Sequence, residues 1–187
     1  MNRGTFTCAT WNIGLSAWVI QDGSYPDFAV GETIEFGVEF HWQPGSAVEV
    51  CDSDVLATLA KDAKYRVVAE KIRETDKTTV LDIGILVYNQ FGPQFPDVEH
   101  GSRFRTELLL GVDPYGSSPL TYSWRITSIL RQTAPFMEIA SRCRPFGTAP
   151  TRDVSKSNYE EIPRTDAWKD DNGHGQYVLR CELLRPT

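Results

Sequence analysis

Three histidines are the side chains of this chain that could exchange a proton near neutral pH: His41, His100 and His174. None falls in a pattern with known chemistry, because the sequence contains neither a GxSxG nucleophile turn nor an HExxH metal motif. His100 adjoins Gly101, and His174 lies between two glycines, so both are typical of turns. We therefore expect no catalytic residue and favour a non-enzymatic protein over an enzyme.

The segment DDNGHG, residues 170–175, gathers carboxylate, amide and imidazole groups that could bind a metal ion. It lacks the ligand spacing of an EF-hand loop and the glutamate that closes such a loop. The pair Asn172-Gly173 is instead a strong signal for a hairpin turn. The glycines of the chain form no phosphate-binding pattern either. We expect no metal and no cofactor.

Arginine is unevenly distributed along the chain. The stretch from Arg103 to Arg152 contains seven arginines, no lysine and three acidic residues. Alternation over residues 122–131 places Arg125 and Arg131 on the side of a strand opposite Trp124. Arginine is well suited to planar, bidentate pairing with a carboxylate or a phosphate.

This arginine face has three interpretations. It could be a solvated surface, or it could be an internal interface in which Glu35 and Glu39 meet Arg103 and Arg105. It could also be an anion- or oligonucleotide-binding site in which aromatic rings stack on bases. The residues that we predict to bind a ligand or partner are Trp18, Tyr88, Arg103, Arg105, Arg125, Arg131, Asp27 and Asp97.

The charge of the chain favours a protein partner over nucleic acid. The formal net charge is −6, which disfavours a polyanionic ligand. Residues 1–62 contain two basic and nine acidic residues, whereas the rest of the chain is nearly balanced. An acidic region of this kind steers a basic partner toward it.

The four cysteines and the hydropathy pattern indicate the cellular compartment of the protein. Cys8, Cys51, Cys143 and Cys181 are far apart in sequence, so they form no CxxC pair. The N-terminus has no apolar stretch typical of a signal peptide, and no segment is long enough to span a bilayer. We predict a cytoplasmic protein with free, mostly buried thiols and no membrane association.

An internal repeat is the main architectural signal. YPDFAVG, residues 25–31, matches FPDVEHG, residues 95–101, at an offset of 70 residues, and the match extends without gaps across 13–42. Such self-similarity predicts a tandem duplication. In each copy, proline and aspartate favour a turn between two strands, and Gly31 and Gly101 can adopt a positive φ. The functional alternative is a ligand loop with Asp27 or Asp97 as the acceptor.

The segments that follow the motif read as strands. Residues 32–42 alternate with period two, which places Phe36 and Phe40 inside and Glu39 and His41 on the solvent face. Residues 102–112 repeat this pattern. In contrast, the spacing of apolar residues near 53–62, after possible capping aspartates, predicts a short helix.

Together these patterns predict a mainly β protein built of tandem-duplicated small β-barrel or two-sheet sandwich units, with at most one short helix near 53–62. The first, acidic unit spans 1–75. The second spans 76–187 and includes a polar loop at 148–175 and a C-terminal strand at 176–185 that can pair with unit one. Exposed edge strands also permit a dimer.

Three functions remain open. The preferred one is a non-enzymatic binding or interaction protein. The first alternative is an oligonucleotide- or anion-binding β-barrel that uses the arginine face. The second is an enzyme with a site at the junction of the two units, which a titratable group with a perturbed pKa in a pocket would support.

Overall fold

The structure is a computed structural model, and its secondary structure is mainly β. It describes residues 10–43, 45–75, 78–90, 95–96, 98–115, 120–140, 148–153, 156 and 158–184, of which 136–140 and 148–152 are described as backbone. Neither helical segment of these ranges has the length or the apolar character that a membrane crossing requires.

Within the described ranges the chain forms strands joined by short turns. In chain order the strands are β1 (Thr10–Ser16), β2 (Thr33–His41), β3 (Glu49–Val50), β4 (Leu56–Lys61), β5 (Lys64–Glu74), β6 (Thr78–Asp82), β7 (Leu86–Gln90), β8 (Arg103–Val112), β9 (Thr121–Gln132), β10 (Phe136–Ala140), β11 (Thr148–Arg152), β12 (Tyr159–Ile162) and β13 (Gln176–Leu183). The helix α1 spans Ala17–Gln21, and a 3₁₀ turn spans Asp170–Gly173.

Period-two alternation produces the strands that the sequence predicts. In β2, Phe36 and Phe40 are fully buried. In β8, the even-numbered positions from Phe104 to Val112 are buried, including Thr106, whose hydroxyl donates to the carbonyl oxygen of Ala47. Because successive side chains of a strand point to opposite faces, this pattern fixes which face meets the core.

The predicted location of the helix was wrong. One short helix is present, but it continues from β1 at Ala17–Gln21, and the region predicted as helical forms β4. Strand β4 pairs antiparallel with β5 through a two-residue turn at Asp62 and Ala63. The spacing of Leu56 and Leu59 suggested a helical face, but pairing with a long neighbouring strand overrides such a weak local preference.

Eight strands close into a barrel. The path of pairing runs β9, β13, β1, β8, β5, β6, β7, β2 and back to β9. A further pairing, between β2 and β8, crosses this ring and divides it into two circuits of five strands each. All of these pairings are antiparallel except two single parallel bridges, Gly14 with Gly111 and Glu39 with Tyr88.

The strands β2 and β8 have equivalent neighbours in this ring. Each pairs antiparallel with a long strand, β9 or β5, and meets a shorter strand, β7 or β1, in a parallel bridge. The sheet is therefore continuous across the two units predicted from the sequence. The C-terminal strand β13 lies between β1 and β9, so it does pair with a strand of the first unit.

The two motif segments make the same backbone hydrogen bonds. The amide of Gly31 donates to the carbonyl of Ile126, and the amide of Ile126 donates to the carbonyl of Glu32. In the second segment, the amide of Gly101 donates to the carbonyl of Lys71, and the amide of Lys71 donates to the carbonyl of Ser102. Both glycines have a positive φ, +87° and +79°, as the sequence predicts. The aromatic residue that opens each motif, Tyr25 or Phe95, is buried in the continuous core.

Candidate functional site

The structure places two of the predicted arginines among acidic and hydroxyl partners on one side of the barrel. The Nε of Arg103 donates to Glu70 over 3.1 Å, and its Nη1 lies 3.3 Å from Asp54. The Nη2 of Arg105 donates to Ser53 over 2.6 Å. Pairing between Glu35 or Glu39 and these arginines, which the sequence suggested, does not occur among the described ion pairs.

The other two arginines lie elsewhere. Arg131 binds Glu160 and Asp170, with 2.7 Å between the paired atoms in each case. Arg125 is exposed on β9, where its backbone neighbours are Thr33 and Glu182. Because β8 and β9 are not paired with each other, the four arginines do not converge on one surface.

The remaining predicted residues have different environments. The Oδ1 of Asp27 accepts hydrogen bonds from the Thr165 hydroxyl and the Ala167 amide, both over 2.9 Å, and thus holds a turn in place. Tyr88 is buried on β7, so its ring does not offer a stacking surface. Trp18 is half exposed on α1. Asp97 lies outside the described residues.

Trp18 borders a cleft of about 550 Å³ where the two five-stranded circuits meet. Six of its lining residues define what we call the junction cleft: Gly14, Trp18, Glu39, His41, Asp62 and Gly111. They come from β1, α1, β2, the β4–β5 turn and β8. A volume of this size is in the range of sites for small organic ligands.

Two glycines allow the strands around the cleft to approach closely. A Cβ atom on Gly14 would lie 3.2 Å from the carbonyl oxygen of Leu110, and one on Gly111 would lie 3.3 Å from the Nε2 of His41. Both distances are shorter than ordinary van der Waals contact. The Gly14–Gly111 bridge therefore leaves backbone, rather than side chains, beside the imidazole of His41.

Glu39 is the carboxyl group at the centre of the junction cleft. Its side chain is only 9% exposed, its Oε2 lies 3.8 Å from the Nε2 of His41, and its Oε1 accepts a long 3.5 Å hydrogen bond from the Gln90 amide. Burial, together with the nearby negative charge of Asp113, raises the pKa of Glu39 to about 6. The carboxyl group therefore changes its charge within the physiological pH range.

His41 is the second titratable group of the cleft. Its side chain is about half exposed, at 51%, and partial burial lowers the pKa of its imidazole. At pH 7 the ring is therefore mostly neutral while Glu39 is mostly ionised. The two side chains together carry one negative charge at neutral pH and lose it as the pH falls below about 6.

Asp62 brings a second carboxylate to the cleft. It has a positive φ of 55°, which is uncommon for a residue other than glycine. The turn that contains it is fixed by two hydrogen bonds, from the Asn12 side-chain amide to the Asp62 carbonyl and from the Leu110 amide to the Ala63 carbonyl. Strain held in place at a concave site is often connected with function.

The charges that line the junction cleft have one sign. Glu39 and Asp62 are its acidic residues, and no lysine or arginine is among the described residues that line it. The described residues also contain no group of three side chains able to hold a metal ion. The described side chains that line the cleft therefore carry only negative formal charge at neutral pH.

A second groove lies on the outer surface of β4, β5 and β8. Its volume is about 560 Å³, and Arg66, Arg105 and Glu107 are among the residues that line it. Among its charged side chains, Arg66 lies 3.3 Å from Glu107, and Arg105 donates to Ser53. None of the described residues that line it is a buried titratable side chain, so the junction cleft is the stronger candidate.

The sequence pattern predicts a solvent face for Glu39 and His41, and it does not indicate that both residues line a cleft. Alternation along β2 correctly places them opposite Phe40. What it does not reveal is that β8 and the β4–β5 turn enclose that face and bury Glu39. The signal available in the sequence was the Glu-x-His spacing itself, which places both side chains on one side of a strand.

No protein-family model, curated protein or solved structure matches this chain.

Proposed function

We propose that this chain is a binding protein whose ligand is a small molecule held in the junction cleft. The observation that carries this proposal is the position of Glu39, a buried carboxyl group with a raised pKa that opens into a concave site. A buried charge lowers the stability of the fold unless it is paired or hydrogen-bonded. Titratable groups with perturbed pKa values are also found more often at functional sites than elsewhere. A bound ligand would supply that partner.

The geometry supports a small molecule better than an oligonucleotide. The four predicted arginines lie in separate regions of the structure. Three of them are already paired with other side chains of this chain. The aromatic residue available for contact, Trp18, lies beside two carboxylates rather than beside cations. Phosphate groups would meet repulsion there. The oligonucleotide- or anion-binding alternative therefore has less support.

A ligand-observed NMR screen of a fragment library balanced in charge tests the proposal. Leu109 is 47% exposed and lines the mouth of the cleft, so Leu109→Trp would narrow it without disturbing the core. Val30 is 42% exposed in the turn before β2 and is not among the described residues that line the cleft, so Val30→Trp is the matched control. We expect hits that Leu109→Trp weakens and Val30→Trp does not. Hits that both variants bind equally would contradict the proposed site, as would a screen without hits.

The pairing of Glu39 with His41 supports a second candidate, an enzyme with its site at the junction of the two units. A carboxylate in an apolar site next to a neutral imidazole can take up and return a proton. Fragment hits incubated in D₂O would test this. Exchange of a carbon-bound hydrogen for deuterium, abolished by Glu39→Gln, would support catalysis, whereas bound hits without exchange would favour binding alone.

We also propose a cellular compartment, a partner and an oligomeric state for this chain. Cys51 and Cys181 are free thiols, which is consistent with a reducing, cytoplasmic compartment. The acidic first third supports a basic protein partner, which a pull-down would recover. For a dimer, the exposed edge of β4 is the candidate interface, because it presents Leu56 and Leu59 to solvent. Light scattering of Leu59→Lys against the unmodified protein would test that interface.

A further inference from the structure

We infer that the ligand of the junction cleft carries a protonated amine on a flat apolar body. This inference rests on the proposed function, because it names the chemical class of the molecule bound at that site. Three features support it: the sign of the charges in the cleft, the aromatic side chain at its edge, and the open acceptor capacity of its buried carboxyl group.

The charges select against an anion. Glu39 and Asp62 line the cleft, and Asp113 is close enough to Glu39 to raise its pKa. Among the described lining residues no lysine or arginine offsets them. These carboxylates would repel a carboxylate or phosphate ligand. An ammonium group would instead pair with Glu39 and offset the free-energy cost of removing that carboxylate from water.

The aromatic wall selects for a cation with an apolar body. Trp18 is half exposed at the cleft, and tryptophan gives the strongest cation–π interaction of the aromatic side chains. Tyr159 and Tyr177 also line the cleft. The hydroxyl of Tyr177 is already used, because it donates to Asp170 over 2.9 Å, so this residue contributes mainly apolar surface.

The most buried polar side chain of the cleft, Glu39, is an acceptor when it is ionised. Glu39 receives only a long hydrogen bond from the Gln90 amide, which leaves most of its acceptor capacity open. The Ser16 hydroxyl, a possible donor at the rim, already donates to Gln176 over 2.9 Å. A ligand that donates several hydrogen bonds from one centre, as an ammonium group does, is complementary to this arrangement.

Binding of such a cation should depend on pH. The titratable groups that line the cleft or act on Glu39 are His41, Asp62, Tyr159, Tyr177 and Asp113, and Tyr88 of β7 is its backbone neighbour. Of these, His41 lies nearest to the Glu39 carboxyl group, 3.8 Å away. Protonation of Glu39 as the pH falls through about 6 removes the charge that pairs with the ammonium group, so affinity should fall with it.

Three probes that share a phenyl ring and a two-carbon linker test the inference: phenethylamine, 2-phenylethanol and 3-phenylpropionate. We expect NMR titration at pH 7.5 to show phenethylamine binding at least about tenfold more tightly than the alcohol, and the carboxylate more weakly than both. Glu39→Gln should remove the preference for the amine. Leu109→Arg, which places a cation at the mouth of the cleft, should do the same, whereas the exposure-matched Val30→Arg should not.

The outcomes separate this inference from the proposed function. Equal binding of the amine and the alcohol, or preferred binding of the carboxylate, would overturn the inference and leave a small-molecule site in place. An amine preference that persists in both Glu39→Gln and Leu109→Arg would also overturn it, because the cation would then bind elsewhere. If the fragment screen finds hits in the cleft but no probe binds, the class of ligand assigned to it is wrong.

Discussion

Replacing Glu39 by glutamine should make the protein more stable at neutral pH. Burial raises the pKa of this group from its ordinary 4.5 to about 6, which corresponds to about 2 kcal/mol of unfavourable free energy when the folded protein is ionised. Glutamine has nearly the same shape but carries no charge, so it avoids this cost. At pH 8 we expect an increase of about 2 kcal/mol, or roughly 4 to 8 °C in the melting temperature of a chain of this length.

The sign of the pH dependence follows from the direction of the pKa change. Below about pH 4.5 both the folded and the unfolded chain hold the proton on Glu39, so the wild type and Glu39→Gln should be equally stable. As the pH rises through about 6, the wild type loses this part of its stability and the variant does not. The difference between the two proteins should therefore grow from near zero at pH 4.5 to its full size above pH 7.

Urea unfolding followed by tryptophan fluorescence, at low protein concentration and at several pH values, measures this difference. Glu35→Gln is the matched control, because Glu35 lies on the same strand but is exposed. Its effect should be small and should not grow with pH in the same way. A Glu39→Gln protein that is less stable than the wild type at pH 8, or a difference independent of pH, would refute the argument that burial perturbs this carboxyl group.

Four further variants test other parts of the structure. Gly31→Ala and Gly101→Ala should each destabilise the fold by about 1–2 kcal/mol, because both glycines have a positive φ with open space around them; clearly unequal losses in urea unfolding would contradict their equivalence. Lys71 is buried and donates to the Val98 carbonyl over 2.6 Å, so Lys71→Met should cost about 2 kcal/mol in the same assay, and an unchanged midpoint would contradict this. Gly111→Ala should displace the imidazole of His41 toward solvent and raise its pKa toward the ordinary value in an NMR titration; an unchanged pKa would mean that the ring does not depend on that contact.

The local geometry of the repeat could be predicted because it depends on residues close in sequence. The positive φ of Gly31 and Gly101 follows from the turn that the motif specifies, and the buried faces of β2 and β8 follow from alternation. The location of the helix could not be predicted in this way. Whether residues 56–61 form a helix or a strand is decided by β5, which offers a partner for their backbone, and the local pattern does not contain that information.

The candidate site could be predicted less well, because it depends on which strands cross. Glu39 and His41 share a face of β2 in any strand model, and only the pairing of β2 with β8 determines what covers that face. The charge of the cleft also depends on the β4–β5 turn, which carries Asp62 and comes from a segment that the sequence suggested was helical. Because residues 53–62 were predicted to be helical, the position of Asp62 beside Glu39 and His41 in the cleft could not be predicted.

The charged pair of the cleft occurs once, although β2 and β8, the strands that follow the two matching sequence segments, have equivalent neighbours. Shifted by 70 residues, Glu39 and His41 correspond to Leu109 and Gly111. The pairing of β2 with β8 places these same positions side by side, Glu39 opposite Gly111 and His41 opposite Leu109. Strand β2 thus supplies the carboxyl group and the imidazole, and β8 supplies an uncharged side chain and the open backbone that leaves room for them. A glutamate at 109 would lie opposite His41 and diagonally from Glu39, so a second carboxylate would come close to the first, and repulsion would raise their pKa values further. The difference between β2 and β8 at these positions, rather than the similarity of their sequences, is what leaves a single Glu–His pair in the cleft.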